Sequence, residues 1–280
     1  MNLFITGASG FIGKNLLNNH KFLKRCKKIY CLSRKKNKSL NTKIEWIKGD
    51  LNSNLHKYFL KSDCLLHMAS HSTNRPYDNL ENCLKWNCKV PKKFISRAYK
   101  AGIKKFVILG TYHEYGMAGN IYKNKKTPVL SSLMPVSTYA ISKAIFFQNI
   151  FFWSINKKVG IRYLRLPHIY GIGEKKTRLW PKLKSKKTKK IIIFNPNFKT
   201  SFLSIEKLVL QLNNYINIKR IKVNFFEIIN IVGKNMKLME FAKFQKKKLS
   251  SKTILIKSKN KKNNWKYLIP KKDKALIKIK

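Results

Sequence analysis

Short apolar segments alternate with longer segments of helical periodicity through the first two thirds of the chain. This alternation is typical of a parallel β-sheet whose strands are joined by crossover helices. Strands are predicted at residues 3–5, 29–32, 44–47, 64–68, 105–109 and 162–166. Helices are predicted at residues 11–25, 53–60, 79–101 and 137–157. The pattern therefore predicts an α/β fold built on a parallel sheet.

The pattern becomes less regular after residue 170. Residues 171–174 and the lysine-rich residues 182–190 are predicted to form a long surface connection. After it, the pattern predicts a strand at 190–194, a helix at 205–216 and a strand at 227–232. We expect a larger unit at residues 1–170 and a smaller, interleaved lobe at residues 171–280. The lysine-rich residues 257–262 and 271–272 suggest that the last part of the chain is frayed.

The cysteines and the apolar runs limit the class of protein. The five cysteines are scattered and include no C-x-x-C pair, which argues against a disulfide framework and against a zinc site. They are Cys26, Cys31, Cys64, Cys83 and Cys88. No apolar run approaches the roughly 18–20 residues that span a membrane, and no signal peptide precedes the first strand. We therefore expect a cytoplasmic chain with reduced thiols, no metal and no membrane insertion.

The formal net charge of +51 comes almost wholly from lysine, because arginine occurs at only eight positions. Proteins that read nucleic acids usually concentrate their charge in one region and contact bases with arginine. In this chain lysine, asparagine and isoleucine are enriched along the whole length, as in the products of AT-rich genomes. The charge therefore favours a solvated lysine-rich surface over a nucleic-acid partner.

A glycine-rich segment directly follows the first predicted strand and opens the first predicted helix. It reads Gly7-Ala8-Ser9-Gly10-Phe11-Ile12-Gly13. Glycine suits a sharp turn, a close approach of the main chain to a pyrophosphate, and tight packing of helix on strand. Because strand, turn and helix occur in this order, the segment predicts a dinucleotide site.

A tyrosine and a lysine, Tyr139 and Lys143, are four residues apart in the predicted helix 137–157. At this spacing the two side chains lie on one helix face. A free tyrosine has a pKa near 10, and a neighbouring ammonium group lowers that pKa by favouring the phenolate. The pair therefore predicts a tyrosine that acts as acid and base near neutral pH.

In combination, Thr6 to Gly13 and Tyr139-x-x-x-Lys143 resemble the extended short-chain dehydrogenase/reductase family, the NAD-dependent epimerases and dehydratases that modify nucleotide sugars. The resemblance covers residues 2–235. It implies a Rossmann-like, doubly wound parallel sheet that forms a dinucleotide-binding domain, with a small C-terminal substrate-binding lobe. It also implies that Thr111 orients the substrate oxygen, that Tyr139 is the acid–base and that Lys143 grips the ribose. The residues implied to bind the cofactor are Gly7, Ser9, Gly10, Phe11, Ile12, Gly13, Arg34, Asp50, Leu51, Met68, Ala69, Lys143 and Pro167.

The end of the second strand favours NADP over NAD. It reads Leu32-Ser33-Arg34-Lys35 and lacks the carboxylate that accepts from the ribose 2′-hydroxyl in NAD enzymes. The cations would attract a 2′-phosphate. The alternative is that they belong to the general lysine excess.

The departures from the family pattern bear on the reaction. Tyr112-His113 stands where the family's 4,6-dehydratases carry Asp-Glu, so we do not expect a dehydratase. His168 replaces an asparagine, and Arg178 or Lys199 would substitute for a missing basic residue. His113, His168 and Arg178 are therefore the candidate substrate contacts. The missing dehydratase acids, the basic end of the second strand and the sequence Gly110-Thr111-x-x-Glu114-Tyr115-Gly116 together favour an NADPH-dependent 4-keto-6-deoxy-sugar reductase.

Two alternatives remain open. One is a nucleotide-sugar epimerase that keeps a tightly bound NAD. The other is a member of the superfamily that has lost catalysis and binds a nucleotide or RNA. The resemblance also implies a homodimer through the helices at residues 79–101 and 137–157.

Overall fold

The computed structural model describes residues 1–35, 37–123, 125–258 and 265–280. Its strands are β1 Asn2–Thr6, β2 Lys28–Ser33, β3 Ile44–Lys48, β4 Cys64–His67, β5 Lys105–Thr111, β6 Gly160–Leu166, β7 His168–Tyr170, β8 Lys190–Ile193, β9 Lys199–Ser204, β10 Phe225–Asn230, β11 Lys234–Lys237, β12 Ile254–Lys257, β13 Tyr267–Leu268 and β14 Lys274–Lys278. Its α-helices are α1 Phe11–Leu17, α2 His20–Arg25, α3 His56–Phe59, α4 Leu80–Leu84, α5 Val90–Lys100, α6 Ala118–Tyr122, α7 Thr138–Ser154, α8 Leu179–Lys184, α9 Ile205–Tyr215 and α10 Leu238–Lys248.

The main sheet of the described chain has eight strands in the order β14-β10-β6-β5-β4-β1-β2-β3. Neighbouring strands are parallel, apart from β14, which runs antiparallel to β10. From β1 the strand order proceeds outward in both directions, and this is the defining property of a doubly wound sheet. The predicted α/β fold class is confirmed.

Helices cover both faces of the sheet and bury its apolar side chains. On one face Leu16 of α1 and Leu208 and Leu212 of α9 are fully buried. On the other face Phe94 of α5 and Phe146 of α7 are fully buried. Each such side chain contributes roughly 1.5–3 kcal/mol of burial free energy, so these two layers hold the helices against the strands.

Two predicted helices differ from the observed ones. The predicted helix 11–25 is divided into α1 and α2, because the Asn19 side chain caps the second helix by accepting from the Phe22 amide at 3.0 Å. The predicted helix 53–60 is reduced to α3 at His56–Phe59. The predicted helix 79–101 is continuous, with a π-helical turn at Lys85–Lys89 between α4 and α5.

The second half of the chain contributes to the main sheet and also forms small sheets of its own. β10 pairs with β6 in the main sheet, whereas β9 pairs with β7, β11 and β13. The predicted surface connection at 182–190 overlaps α8, which ends at Lys184. Residues on both sides of position 170 therefore share one sheet, and a division into two lobes at that position stays a prediction.

The expectation of a frayed end is wrong for the described residues. β14 pairs with β10 over five residues, from Phe225↔Lys278 to Ile229↔Lys274. Lys271 is also attached, because its amide donates to the Thr127 carbonyl at 2.8 Å. Lys257 ends β12, while residues 259–262 lie outside the described residues. The terminal strand is held because its ladder hydrogen bonds and Ile279, which is buried, offset the entropy of ordering it.

The five cysteines are free and buried. Within the described residues, no helix is both long and apolar enough to cross a membrane.

Candidate functional site

A cavity of ≈ 990 Å³ follows the carboxyl edge of the main sheet. The ends of β1, β2, β4, β5 and β6 all reach it, and this edge is where ligands bind in doubly wound folds. The cavity lies on both sides of the point where the strand order reverses, between β1 and β4. The fold therefore brings residues from distant parts of the sequence into one place.

The glycine turn forms one wall of this cavity, with Gly7 in a left-handed conformation at φ 75°. A Cβ on Gly7 would lie 2.7 Å from the Ala69 amide nitrogen, and a Cβ on Gly13 would lie 2.4 Å from the Gly7 carbonyl oxygen. Any side chain at either position would push strand and helix apart. Because these positions carry no side chain, a dinucleotide can approach the main chain closely. The residues of this wall therefore suit a dinucleotide cofactor.

The residues expected to bind the cofactor lie together. All of them line the cavity except Lys143; those that do are Gly7, Ser9, Gly10, Phe11, Ile12, Gly13, Arg34, Asp50, Leu51, Met68, Ala69 and Pro167. Arg34 is exposed at the end of β2, and Asp50 lies just beyond β3. The Asn37 amide donates to the Ser33 hydroxyl at 2.8 Å and so orders the segment beside Arg34.

Tyr139 lies in the first turn of α7 and lines the cavity. The helix begins there because the Ser137 side chain accepts from the Ala140 amide at 3.2 Å. The Tyr139 hydroxyl is hydrogen-bonded to Ser70, and the Tyr77 ring is stacked on the Tyr139 ring with centroids 5.8 Å apart. Burial raises the pKa of Tyr139 to about 12.

Lys143 lies one helical turn after Tyr139 and is buried. Its ammonium group donates to the Leu109 carbonyl at 2.9 Å, behind the wall of the cavity. Burial lowers the pKa of Lys143 to about 8. The sequence predicts that Lys143 lowers the pKa of Tyr139, but in this structure burial raises that pKa and the Lys143 ammonium group is bound to the Leu109 carbonyl instead. The predicted effect therefore requires Lys143 to turn from Leu109 towards the cavity.

Thr111 ends β5 and lines the cavity. Its hydroxyl accepts from the His113 amide at 3.3 Å and begins a short 3₁₀ turn at Tyr112–Glu114. The first two side chains of that turn, Tyr112 and His113, lie in different surroundings. Tyr112 is buried away from the cavity and its hydroxyl donates to the Ile231 carbonyl, whereas His113 faces the cavity.

The three candidate substrate residues, His113, His168 and Arg178, all line the same cavity. The two imidazole rings are 5.1 Å apart at their centroids. Burial, together with the nearby Arg178 and Arg75, lowers the pKa of His113 to about 4. The pKa of His168 is well below its usual value, because of burial and of the same cationic neighbours, and its Nε2 atom is buried without a hydrogen-bond partner. Both imidazoles are therefore neutral at pH 7.

Cations outnumber acids on the wall of this cavity. Among the described lining residues Arg34, Arg75 and Arg178 are basic, while Asp50 is acidic. Arg178 is held by Glu174, whose carboxylate lies 2.9 Å from the guanidinium Nε. Lys199, the alternative to Arg178, does not line the cavity. The balance of charge favours an anionic ligand at the histidine end.

Sequence reasoning missed the loop that follows β4, which supplies Ser70, Arg75 and Tyr77 to the cavity wall. The loop is attached to α7, because the Thr138 hydroxyl donates to the Asp78 carbonyl at 2.7 Å. One signal could have found it. Arg75 is one of few arginines in a lysine-rich chain, and it follows a strand on the ligand-binding edge of the predicted sheet.

A family model described as "NAD dependent epimerase/dehydratase family" matches residues 3–201. A dTDP-6-deoxy-L-talose 4-dehydrogenase (NAD(+)) from Aggregatibacter actinomycetemcomitans is 30% identical over 197 residues, which are 61% of this chain and 62% of that protein. A putative dihydroflavonol 4-reductase from Synechocystis sp. is 29% identical over 121 residues, 42% of this chain and 34% of that protein. Each match thus spans less than two thirds of the relative's own length.

Solved structures share the fold at low sequence identity. The NAD-dependent NDP-hexosamine 5,6-dehydratase TunA has a TM-score of 0.80 at 18% identity, covering 96% of this chain and 88% of that chain. The UDP-glucuronic acid 4-epimerase from Bacillus cereus, in complex with UDP-glucuronic acid and NAD, has a TM-score of 0.78 at 19% identity, with the same coverage.

Proposed function

Because the chain belongs to the NAD dependent epimerase/dehydratase family, we propose that it is an NAD(P)-dependent oxidoreductase that reduces the 4-keto group of a nucleotide-activated 6-deoxy-sugar. The observation that carries this proposal is that the glycine turn, Thr111 and Tyr139 line one cavity. A hydride donor on the glycine wall and a carbonyl beside the two hydroxyl groups would then meet in the same space.

Each residue has a role that follows from its position. Thr111 donates a hydrogen bond to the carbonyl oxygen, and Tyr139 gives that oxygen a proton as the hydroxyl product forms. Lys143, once turned from the Leu109 carbonyl, stabilises the tyrosinate that is left and holds the cofactor ribose. The nicotinamide, when bound, supplies the hydride. Arg75 and Arg178 bind the anionic part of the substrate.

The relative from Aggregatibacter supports the choice of reaction. Its name is that of a 4-dehydrogenase of a dTDP-linked 6-deoxy-sugar. The TunA neighbour is a dehydratase, but at 18% identity it shares the fold alone. The pair Tyr112-His113 offers no carboxylate for elimination, and Tyr112 is buried away from the cavity. We therefore do not propose dehydration.

For the cofactor we propose NADP. The end of β2 presents Arg34 to the cavity and has no acid there, which favours a 2′-phosphate. The named relative and the solved neighbours specify NAD, so cofactor choice is the part of the proposal in which this chain would differ from them.

A nucleotide-sugar epimerase is the second candidate. It would use the same Tyr139 beside the glycine turn as its acid–base, because it also passes a hydride between the nicotinamide and a sugar carbon. An epimerase keeps its NAD through the whole reaction. Purification with stoichiometric bound NAD, and interconversion of two sugars without added cofactor, would select it.

The test compares binding of NADPH and NADH and turnover of a dTDP-4-keto-6-deoxy-hexose by the wild type and Tyr139→Phe. We expect NADPH to bind more tightly and turnover to fall at least about 100-fold in the variant, because its ring keeps the stacking on Tyr77 but cannot give a proton. Tyr77→Phe is the control, since it alters a neighbouring hydroxyl that has no proposed role in proton transfer. If neither nicotinamide binds, the enzyme proposal is wrong, and RNA binding with a steep salt dependence becomes the function to test.

A further inference from the structure

A fully buried carboxylate, that of Glu114, lies directly behind the proposed reacting groups. It ends the 3₁₀ turn that follows β5. Its Oε1 accepts from the Thr111 amide at 2.8 Å and from the Tyr163 hydroxyl at 2.8 Å. Its Oε2 accepts from the Arg165 Nε at 2.8 Å. Neither the glycine turn nor the proposed proton transfer accounts for this group.

Every partner of Glu114 is a hydrogen-bond donor. A carboxylate can accept all three bonds, while a glutamine would point its NH₂ group at one of the donors. The guanidinium of Arg165 is 1% exposed, so water cannot replace a lost partner. The site therefore requires the charged side chain and not merely one of similar size.

The ion pair continues into a network that crosses the sheet edge. Arg165 donates to the Tyr115 hydroxyl at 2.9 Å, and that hydroxyl donates to the Asn230 Oδ1 at 2.8 Å. The Asn230 amide donates to the Asp273 carboxylate at 3.1 Å, just before β14. Strands β5, β6 and β10 are thereby tied to one another at the end where the cavity lies. Thr111 is attached to this network through its main chain.

Glu114 also acts on the charge of the proposed catalytic pair. Burial lowers the pKa of Lys143, and the Glu114 carboxylate opposes that decrease. The other titratable groups that interact with Lys143 are the Cys88 thiol and the buried His67, whose own pKa is low. Neither thiol nor neutral imidazole carries charge at pH 7, so Glu114 is the ionised neighbour of the lysine in this set.

We propose that Glu114 is a positioning residue for the proposed reduction: its carboxylate fixes the Thr111 main chain, and so the Thr111 hydroxyl. The inference rests on the proposed function, because the role of Thr111 comes from it. It adds a residue that touches neither substrate nor cofactor.

The test is Glu114→Gln, matched with Glu227→Gln. Glu227 forms a partly buried carboxylate–arginine pair with Arg162, three residues before Arg165 on β6 and on the opposite face of the sheet. In Glu114→Gln we expect kcat to fall about 10- to 100-fold with KM changed less than about threefold, because a small displacement of a reacting group costs this much. The alkaline limb of the kcat profile moves about one pH unit lower, because Lys143 loses its proton more easily. Glu227→Gln changes neither quantity.

A second measurement separates the inference from the proposed function. Hydrogen–deuterium exchange of the peptide that contains the Thr111 amide should be at least about tenfold faster in Glu114→Gln than in wild type or Glu227→Gln. If the wild type turns over no nucleotide sugar but this exchange changes as expected, the proposed function fails while the positioning holds. If the two variants lose kcat equally, or if exchange at Thr111 is unchanged, Glu114 is only a stabilising residue and the inference is wrong.

Discussion

Replacing Gly13 by alanine tests the glycine wall at its tightest point. The added methyl carbon would lie 2.4 Å from the Gly7 carbonyl oxygen, 2.5 Å from the Ala8 carbonyl oxygen and 2.6 Å from the Ala8 Cα. Close carbon–oxygen contacts in proteins are about 3.3–3.6 Å, so the turn must move by about 1 Å. All three contacts are main chain, and no side-chain rotation can relieve them.

The expected magnitude follows from two opposing effects. Overpacking of this kind costs about 1–3 kcal/mol, whereas alanine in place of a helical glycine gains up to about 1 kcal/mol. We therefore expect Gly13→Ala to lose about 1–2 kcal/mol of unfolding free energy. The displaced Gly7 carbonyl deforms the surface proposed to meet the pyrophosphate, so nicotinamide affinity should fall at least tenfold, about 1.4 kcal/mol.

The assay combines urea unfolding with calorimetric titration of NADPH and NADH. Gly10→Ala is the matched control, because a Cβ on Gly10 would meet just the Gly7 carbonyl oxygen, at 3.2 Å. That contact requires a movement of a few tenths of an ångström, so the control should lose less than about 1 kcal/mol of unfolding free energy. Equal behaviour of the two variants would refute the role given to close packing at Gly13.

Two further predictions concern cofactor choice and acid stability. Arg34→Ala should lower NADPH affinity about tenfold and NADH affinity less than twofold, because it removes the cation proposed to meet a 2′-phosphate. The control is Lys48→Ala, which removes an exposed cation at the end of β3 and should change neither affinity in the same titrations. Burial lowers the pKa of His67 to about 3, so the unfolded chain binds a proton below about pH 6.5 that the folded chain does not, and stability falls between about pH 6.5 and pH 3. His67→Asn should flatten that decline in urea unfolding, by up to about 1.4 kcal/mol per pH unit; an unchanged slope would assign the decline to other groups.

The sequence predicted the strands of the main sheet up to residue 166 because each is a short apolar run. It did not predict the break between α1 and α2, which depends on one asparagine side chain at position 19. It also did not predict that β10 and β14 complete the main sheet. Which strands pair across long sequence distances is decided by packing, and an apolar segment does not by itself specify the strand it pairs with.

For the candidate site, the motifs led to the glycine turn, Thr111 and Tyr139 because in each a residue type follows a strand or opens a helix. The loop with Arg75 and Tyr77 has no periodicity, so its place beside Tyr139 appears only in three dimensions. The orientation of Lys143 was equally hidden. The helical spacing fixes the face on which Lys143 lies. Its hydrogen-bond acceptor, the Leu109 carbonyl, comes from β5, so the spacing could not predict that contact.

Because all five cysteines are buried, the folded chain is suited to labelling at a single introduced cysteine. Burial raises the pKa of Cys26 to about 11 and those of Cys31 and Cys64 to about 12, so these sulfurs have almost no thiolate at neutral pH. Maleimides and iodoacetamide should therefore leave the folded chain intact and modify it only as it opens. One cysteine introduced at the surface would carry a fluorophore without removal of the native five. The rate at which the native five are modified would then report the rate of unfolding.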